Sequence, residues 1–114
     1  MKDVGALAGF PERSLRVVTV GRREIGVVRW DGAQVYALHN RCPHMGGPLC
    51  SGALGPAVAG VPGRVDAEDA PVIACGWHHW EFDVATGRAL WDDRSRVKTY
   101  AAEIREGHVF VDVR

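Results

Sequence analysis

The sequence has no excess of charge of either sign. Fourteen lysine and arginine residues balance fourteen aspartate and glutamate residues, so the formal net charge at pH 7 is zero. A nucleic-acid-binding protein usually carries a basic excess that neutralises phosphates, and an anionic membrane surface attracts the same excess. We therefore expect partners that are neither nucleic acids nor membranes.

Long apolar runs are also missing, and cysteine is scarce. No stretch approaches the roughly 18 apolar residues that a membrane-spanning helix needs, and residues 1–10 lack the apolar core and cleavage pattern of a secretory signal. The cysteine count is three, an odd number that argues against a disulfide framework. These absences predict a cytoplasmic protein in a reducing compartment.

Helical patterning is absent as well. No segment longer than about ten residues repeats its apolar positions with the helical period of 3.6. Fourteen glycines and six prolines in 114 residues favour tight turns. We expect one domain, residues 1–114, of the all-β class, with a surface excursion over 51–71. The predicted strands cover 15–20, 25–30, 34–38, 71–74, 80–83, 100–105 and 108–113.

The chain does contain two short pairs of metal-ligand residues. Cys42 and His44 form a Cys-x-His pair, and Cys75 and His78 form a Cys-x-x-His pair beginning 33 positions later. Each pair follows a predicted strand, and together they offer two thiolates and two imidazoles. This donor set suits a [2Fe–2S] cluster in which histidines replace two cysteines on one iron. It also suits a tetrahedral zinc ion.

The residues around both pairs resemble the two cluster-binding loops of Rieske [2Fe–2S] proteins. The stretches that carry the resemblance are Cys42-Pro43-His44-Met45-Gly46-Gly47-Pro48-Leu49, Cys75-Gly76-Trp77-His78-His79-Trp80-Glu81-Phe82-Asp83 and Thr86-Gly87-Arg88. The resemblance implies an antiparallel β-sandwich with a cluster-binding subdomain formed by two loops.

The same resemblance implies the ligand set of one [2Fe–2S] cluster. Cys42 and Cys75 would hold the inner iron, and His44 and His78 the outer iron near the surface. His79, where the family usually has glycine, is an alternative ligand to His78. Zinc is the weaker alternative, because zinc fingers usually separate their cysteine pair from their histidine pair.

The resemblance also favours a low reduction potential. Respiratory Rieske proteins have one further cysteine in each loop, joined as a disulfide, and the matching positions here are Gly47 and Trp77. A serine that donates a hydrogen bond to a cluster sulfide in those proteins corresponds to Trp80. Fewer hydrogen bonds to the sulfurs leave the reduced state less stabilised, which lowers the potential.

The expected function is electron transfer rather than catalysis. A Rieske oxygenase also needs a mononuclear iron site, typically two histidines and a carboxylate. The remaining histidines, His39, His79 and His108, do not form such a set, and the chain ends at Arg114. The resemblance implies a ferredoxin that passes electrons from a flavin-dependent reductase to a terminal oxygenase of a dioxygenase system. The small Rieske subunit of an assimilatory nitrite reductase, and a structural zinc-binding or redox-sensing domain, are the alternatives.

Overall fold

The computed structural model describes residues 1–41, 53–56, 70–75, 80–90 and 95–113. Within these ranges the chain forms β-strands and one 3₁₀ turn, Leu7–Gly9, and no residue lies in an α-helix. The strands are β1 (Lys2–Ala6), β2 (Ser14–Val20), β3 (Arg23–Arg29), β4 (Val35–His39), β5 (Ala53–Pro56), β6 (Pro71–Ala74), β7 (Glu81–Asp83), β8 (Thr99–Tyr100), β9 (Ala102–Arg105) and β10 (His108–Val111). None of the helical turns in these ranges is long and apolar enough to cross a membrane.

The strands form three sheets, and every pairing between them is antiparallel. The first sheet has the order β1-β10-β9, the second β2-β3-β4-β8 and the third β5-β6-β7. The all-β class predicted from the sequence is confirmed. The third sheet was not predicted as a separate sheet. It adds paired strands to the subdomain that we expected to be formed by two loops.

The second sheet is the middle layer, because apolar clusters cover both of its faces. Val27 packs in a cluster with Val109 of the first sheet, whereas Val28 packs in a cluster with Ile73 of the third. Successive side chains of a strand point to opposite faces of the sheet. β3 therefore reads as a nearly continuous apolar run, and both clusters depend on it.

The predicted strands are present with small shifts at their ends, but the predicted strand over 100–105 is divided. β8 pairs with β4 in the second sheet, whereas β9 pairs with β10 in the first. The chain changes sheets at Ala101, whose carbonyl oxygen accepts a hydrogen bond from the Asp112 N–H (2.9 Å). A period-2 pattern cannot reveal such a change, because the alternation continues through it.

Two strands were not predicted. β1 is irregular, with a register shift between Asp3 and Gly5, and its sequence does not alternate clearly. β5 lies inside the predicted surface excursion over 51–71, so that prediction is wrong for 53–56, where the chain pairs with β6. Small residues and glycine give β5 little strand propensity, and the pairing with the apolar strand β6 decides its conformation.

Candidate metal centre

Both predicted ligand pairs follow strands of the described structure. β4 ends at His39, three residues before Cys42, and β6 ends at Ala74, directly before Cys75. Leu38, near the end of β4, belongs to the same buried apolar cluster as Cys75. The fold therefore brings the start of the second loop close to the strand that leads into the first loop.

Of the four predicted ligands, Cys75 lies within the described ranges. Cys42, His44 and His78 lie outside them, as does the alternative ligand His79. The predicted ligand set as a whole therefore stays a prediction. Within the described ranges no three histidine, cysteine, aspartate or glutamate side chains are grouped so that they could hold a metal ion. A centre at Cys75 therefore needs ligands from the rest of the chain.

Cys75 is fully buried, with none of its surface exposed. It packs in a cluster that contains Ile73 and Phe82, and Trp80 lies against the same cluster. The Cys75 N–H donates a hydrogen bond to the Trp80 carbonyl oxygen (2.7 Å), which joins the two ends of residues 76–79. The backbone of Cys75 is thus held by a hydrogen bond, and its thiol lies within an apolar core.

The position of Cys75 fits a ligand of the inner iron. Metals bind the thiolate form of cysteine, and a negative charge in apolar surroundings is strongly disfavoured unless a positive charge accompanies it. A cluster iron, when bound, would supply that positive charge. A donor set of two cysteines and two histidines therefore suits this location, with the buried sulfur on the inner side.

A hydrogen-bonded turn after β7 holds the strand that leaves the second loop. The Asp83 carboxylate accepts hydrogen bonds from the Thr86 hydroxyl (2.9 Å) and the Ala85 N–H (3.1 Å). The Gly87 N–H donates to the Asp83 carbonyl oxygen (2.7 Å), and the Val97 N–H donates to the Gly87 carbonyl oxygen (2.8 Å). The stretch Thr86-Gly87-Arg88 was identified by resemblance, but the role of Asp83 was not predicted. Aspartate directly before a turn often binds backbone N–H groups two residues on, and this pattern could have indicated it.

A family model described as the Rieske [2Fe-2S] domain matches residues 1–101, which include both ligand pairs and the turn after β7. The chain belongs to the Rieske [2Fe-2S] domain family. This membership implies a [2Fe–2S] cluster and confirms the resemblance inferred from the two loops.

Individual Rieske proteins match the chain over nearly its whole length. The ferredoxin component of a naphthalene 1,2-dioxygenase system from Pseudomonas aeruginosa is 32% identical over 112 residues, covering 97% of this chain and 93% of the relative. A chain from a complex of reduced oxygenase and oxidised ferredoxin in carbazole 1,9a-dioxygenase has a TM-score of 0.73 at 27% identity, covering 96% of this chain and 90% of that one. A chain described as the small subunit of an NADH-dependent nitrite reductase from Mycobacterium tuberculosis has a TM-score of 0.77 at 19% identity, with 96% and 91% covered. The last likeness establishes a shared fold only.

Proposed function

We propose that this Rieske protein is a one-electron carrier, comparable to the ferredoxin component of a dioxygenase system, and not a catalytic subunit. The observation that carries the proposal is the near full-length similarity to a naphthalene dioxygenase ferredoxin component. The cluster, when bound, supplies reversible one-electron chemistry. The protein contributes the ligands Cys42, His44, Cys75 and His78, for one cluster per chain.

The described residues around Cys75 support this role. The apolar side chains of Ile73 and Phe82 keep water from the buried sulfur. Fixed ligand positions reduce the rearrangement that accompanies a change of charge, and the hydrogen bond between Cys75 and Trp80 fixes one of these positions. A buried sulfur in a fixed position suits electron transfer, which needs no substrate to enter the site.

The proposed partners are a flavin-dependent reductase and a terminal oxygenase. A matching ferredoxin chain comes from a complex of oxygenase and ferredoxin in carbazole 1,9a-dioxygenase, which supports the second partner. We propose the flavin-dependent reductase because a one-electron carrier needs a donor that can give up single electrons. A reducing cytoplasm is the compartment that suits free thiols and such partners.

The purified protein is expected to contain two irons and two acid-labile sulfides per chain. Its visible absorption should bleach with dithionite, and the reduced form should give a Rieske-type EPR signal, because two histidines ligate one iron. When the reduced protein is mixed with the oxidised oxygenase component of a naphthalene dioxygenase system, its cluster should be reoxidised within the time of one catalytic turnover of the oxygenase. A colourless protein with one zinc and no sulfide would overturn the proposal and support the structural alternative.

The nitrite reductase subunit is the second candidate, since it was the alternative predicted from the sequence and a chain described as such a subunit shares the fold, with a TM-score of 0.77. The two candidates differ in how the protein associates. A carrier binds its partners transiently, whereas a subunit stays in a complex through a larger and more apolar interface. Co-purification in constant ratio with a large reductase subunit would favour the nitrite reductase, and isolation as a free protein that shuttles electrons would favour the carrier.

The reduction potential is expected in the lower part of the Rieske range of about −150 to +300 mV. Trp80, at the position of the serine in high-potential proteins, offers no hydroxyl to a cluster sulfide. Trp80→Ser should raise the potential by about 40 mV, the one-electron equivalent of a hydrogen bond worth about 1 kcal/mol. Trp80→Phe is the matched control, since it also shortens the side chain but adds no hydroxyl. A redox titration that puts the native protein near the upper end would contradict this prediction.

A further inference from the structure

Three exposed cations lie close together in the fold, and we call them the cationic row: Arg88, Arg96 and Lys98. Arg88 and Arg96 are paired in an isolated antiparallel bridge. Residues directly opposite in such a pair lie about 5 Å apart and point to the same face. Lys98 follows Arg96 by two positions, about 7 Å along the chain. Val97 between them is buried, which directs both of its neighbours outward.

Hydrogen bonds place the cationic row between the segments that connect to the two predicted cluster loops. The carbonyl oxygen of Lys98 accepts a hydrogen bond from the His39 N–H (2.8 Å), three residues before Cys42. The carbonyl oxygen of Arg88 accepts one from the Asp83 N–H (2.8 Å), in the strand β7 that follows the second loop. A protein that docks on this row would lie beside the strand β4, which leads toward Cys42, and the strand β7, which follows the second ligand pair.

No carboxylate within the described ranges forms an ion pair with a member of the cationic row. The ion pairs in these ranges are Arg13–Asp31, Arg105–Glu103 and His108–Asp3. Like charges directly opposite each other in a sheet are destabilising, so the bridge between Arg88 and Arg96 has an unfavourable electrostatic term that no ion pair in these ranges offsets. Asp92 and Asp93 lie between Arg88 and Arg96 in the sequence, outside these ranges, and measurements on the full chain include their charges.

We propose that the cationic row is the docking surface for a carboxylate-rich face of the redox partner protein. The inference rests on the proposed function, because it concerns the encounter in which the protein exchanges electrons. Charges near such a contact steer the partner and raise the association rate. The formal net charge is zero, so steering must come from local charge. The row provides three positive charges close together, and Arg41, exposed directly before Cys42, adds a fourth near the first loop.

Two small oxidants of opposite charge test the proposal on the cluster-loaded, reduced protein. One electron passes from the protein to trianionic hexacyanoferrate(III) or to tricationic tris(phenanthroline)cobalt(III), and stopped-flow absorption gives the rate. Salt should slow the reaction with the anion and should not slow the reaction with the cation, because salt screens both attraction and repulsion. Arg96→Glu should slow the anion reaction about tenfold at an ionic strength of about 0.01 M. Lys98→Glu should have a similar effect.

Lys2→Glu is the matched control, because it changes the net charge by the same amount. Lys2 is exposed and lines a groove beside β2, at the edge of the second sheet opposite β8. Its substitution should change the anion rate less than about twofold, since distance and salt weaken the interaction. Equal effects of Lys2→Glu and Arg96→Glu, or salt dependence of the same sign for both oxidants, would overturn the docking surface.

A binding measurement separates the proposal from alternatives and does not depend on electron transfer. Poly-glutamate added to the native protein should shift the amide NMR signals of Arg96 and Lys98 but not that of Lys2. Stronger binding of duplex DNA than of poly-glutamate at equal charge concentration would overturn the proposal in favour of a nucleic acid.

Arg96→Glu should not lower the midpoint of thermal unfolding, and a lower midpoint would contradict the electrostatic repulsion between Arg88 and Arg96. Purified protein without a cluster would overturn the proposed function, whereas a loaded protein with charge-independent rates would overturn the docking surface alone.

Discussion

Replacing Cys75 with alanine is expected to abolish cluster binding. Cys75 is fully buried at the end of β6, so no exposed side chain can replace its sulfur without rearranging the core. The loss of affinity should exceed about 100-fold, because altering even a residue that only contacts a metal ligand commonly costs about 10–100-fold. Iron and sulfide analysis and visible absorption of the purified variant measure the result.

Cys50→Ala is the matched control for Cys75→Ala. Cys50 is the cysteine that belongs to neither ligand pair, so its substitution should leave iron, sulfide and absorption unchanged. His78→Ala and His79→Ala extend the comparison to the neighbouring histidines, of which only the first should lose the cluster. Retention of a full cluster in Cys75→Ala, or its loss in Cys50→Ala, would show that the ligand assignment is wrong.

Gly87→Ala is expected to destabilise the fold by at least about 3 kcal/mol. Gly87 has φ of +79°, and a Cβ built there would lie 2.1 Å from the carbonyl oxygen of Val97. The left-handed conformation alone costs alanine about 1–2 kcal/mol. The remainder comes from a clash with backbone, which must move and thereby weaken the hydrogen bond from the Val97 N–H to the Gly87 carbonyl oxygen. Denaturant unfolding of the native and variant proteins measures the difference.

Gly107→Ala separates the clash from the backbone conformation. Gly107 has φ of +76°, close to that of Gly87, but a Cβ there would meet no atom within 4 Å. Its substitution should therefore cost only the conformational term of about 1–2 kcal/mol. If the two variants were equally stable, the contact between Gly87 and Val97 would not be the cause. Because Gly87 anchors the turn after β7, its variant should also bind the cluster less completely.

The strands that flank the predicted ligand loops could be read from local sequence. β4 and β6 are short apolar or alternating stretches with turn residues at their ends, and this local pattern is typical of strands. β5 could not be read, because its small residues have little preference of their own and pairing with β6 decides its conformation. The same limit applies to Ala101, where the chain changes sheets without a break in its alternation.

The candidate site divides in a similar way. The family could be predicted from the order and spacing of four residues in the sequence, and the family model confirms it. These residues are Cys42, His44, Cys75 and His78. The burial of Cys75 depends on apolar side chains from distant segments, including Leu38 and Phe82. The burial of Cys75 could therefore not be predicted from the spacing of the ligands.

The sequence alone determined that this protein is an all-β domain with two mixed cysteine and histidine pairs of the Rieske kind, because strand patterns and ligand spacing are written along the chain. Tertiary structure alone decided where charge is concentrated. The formal net charge of zero gives no sign of the cationic row, because net charge does not depend on where the charged residues lie in the structure. Arg88 and Arg96 are eight positions apart in sequence, and they face each other only because the chain reverses between them into an antiparallel bridge.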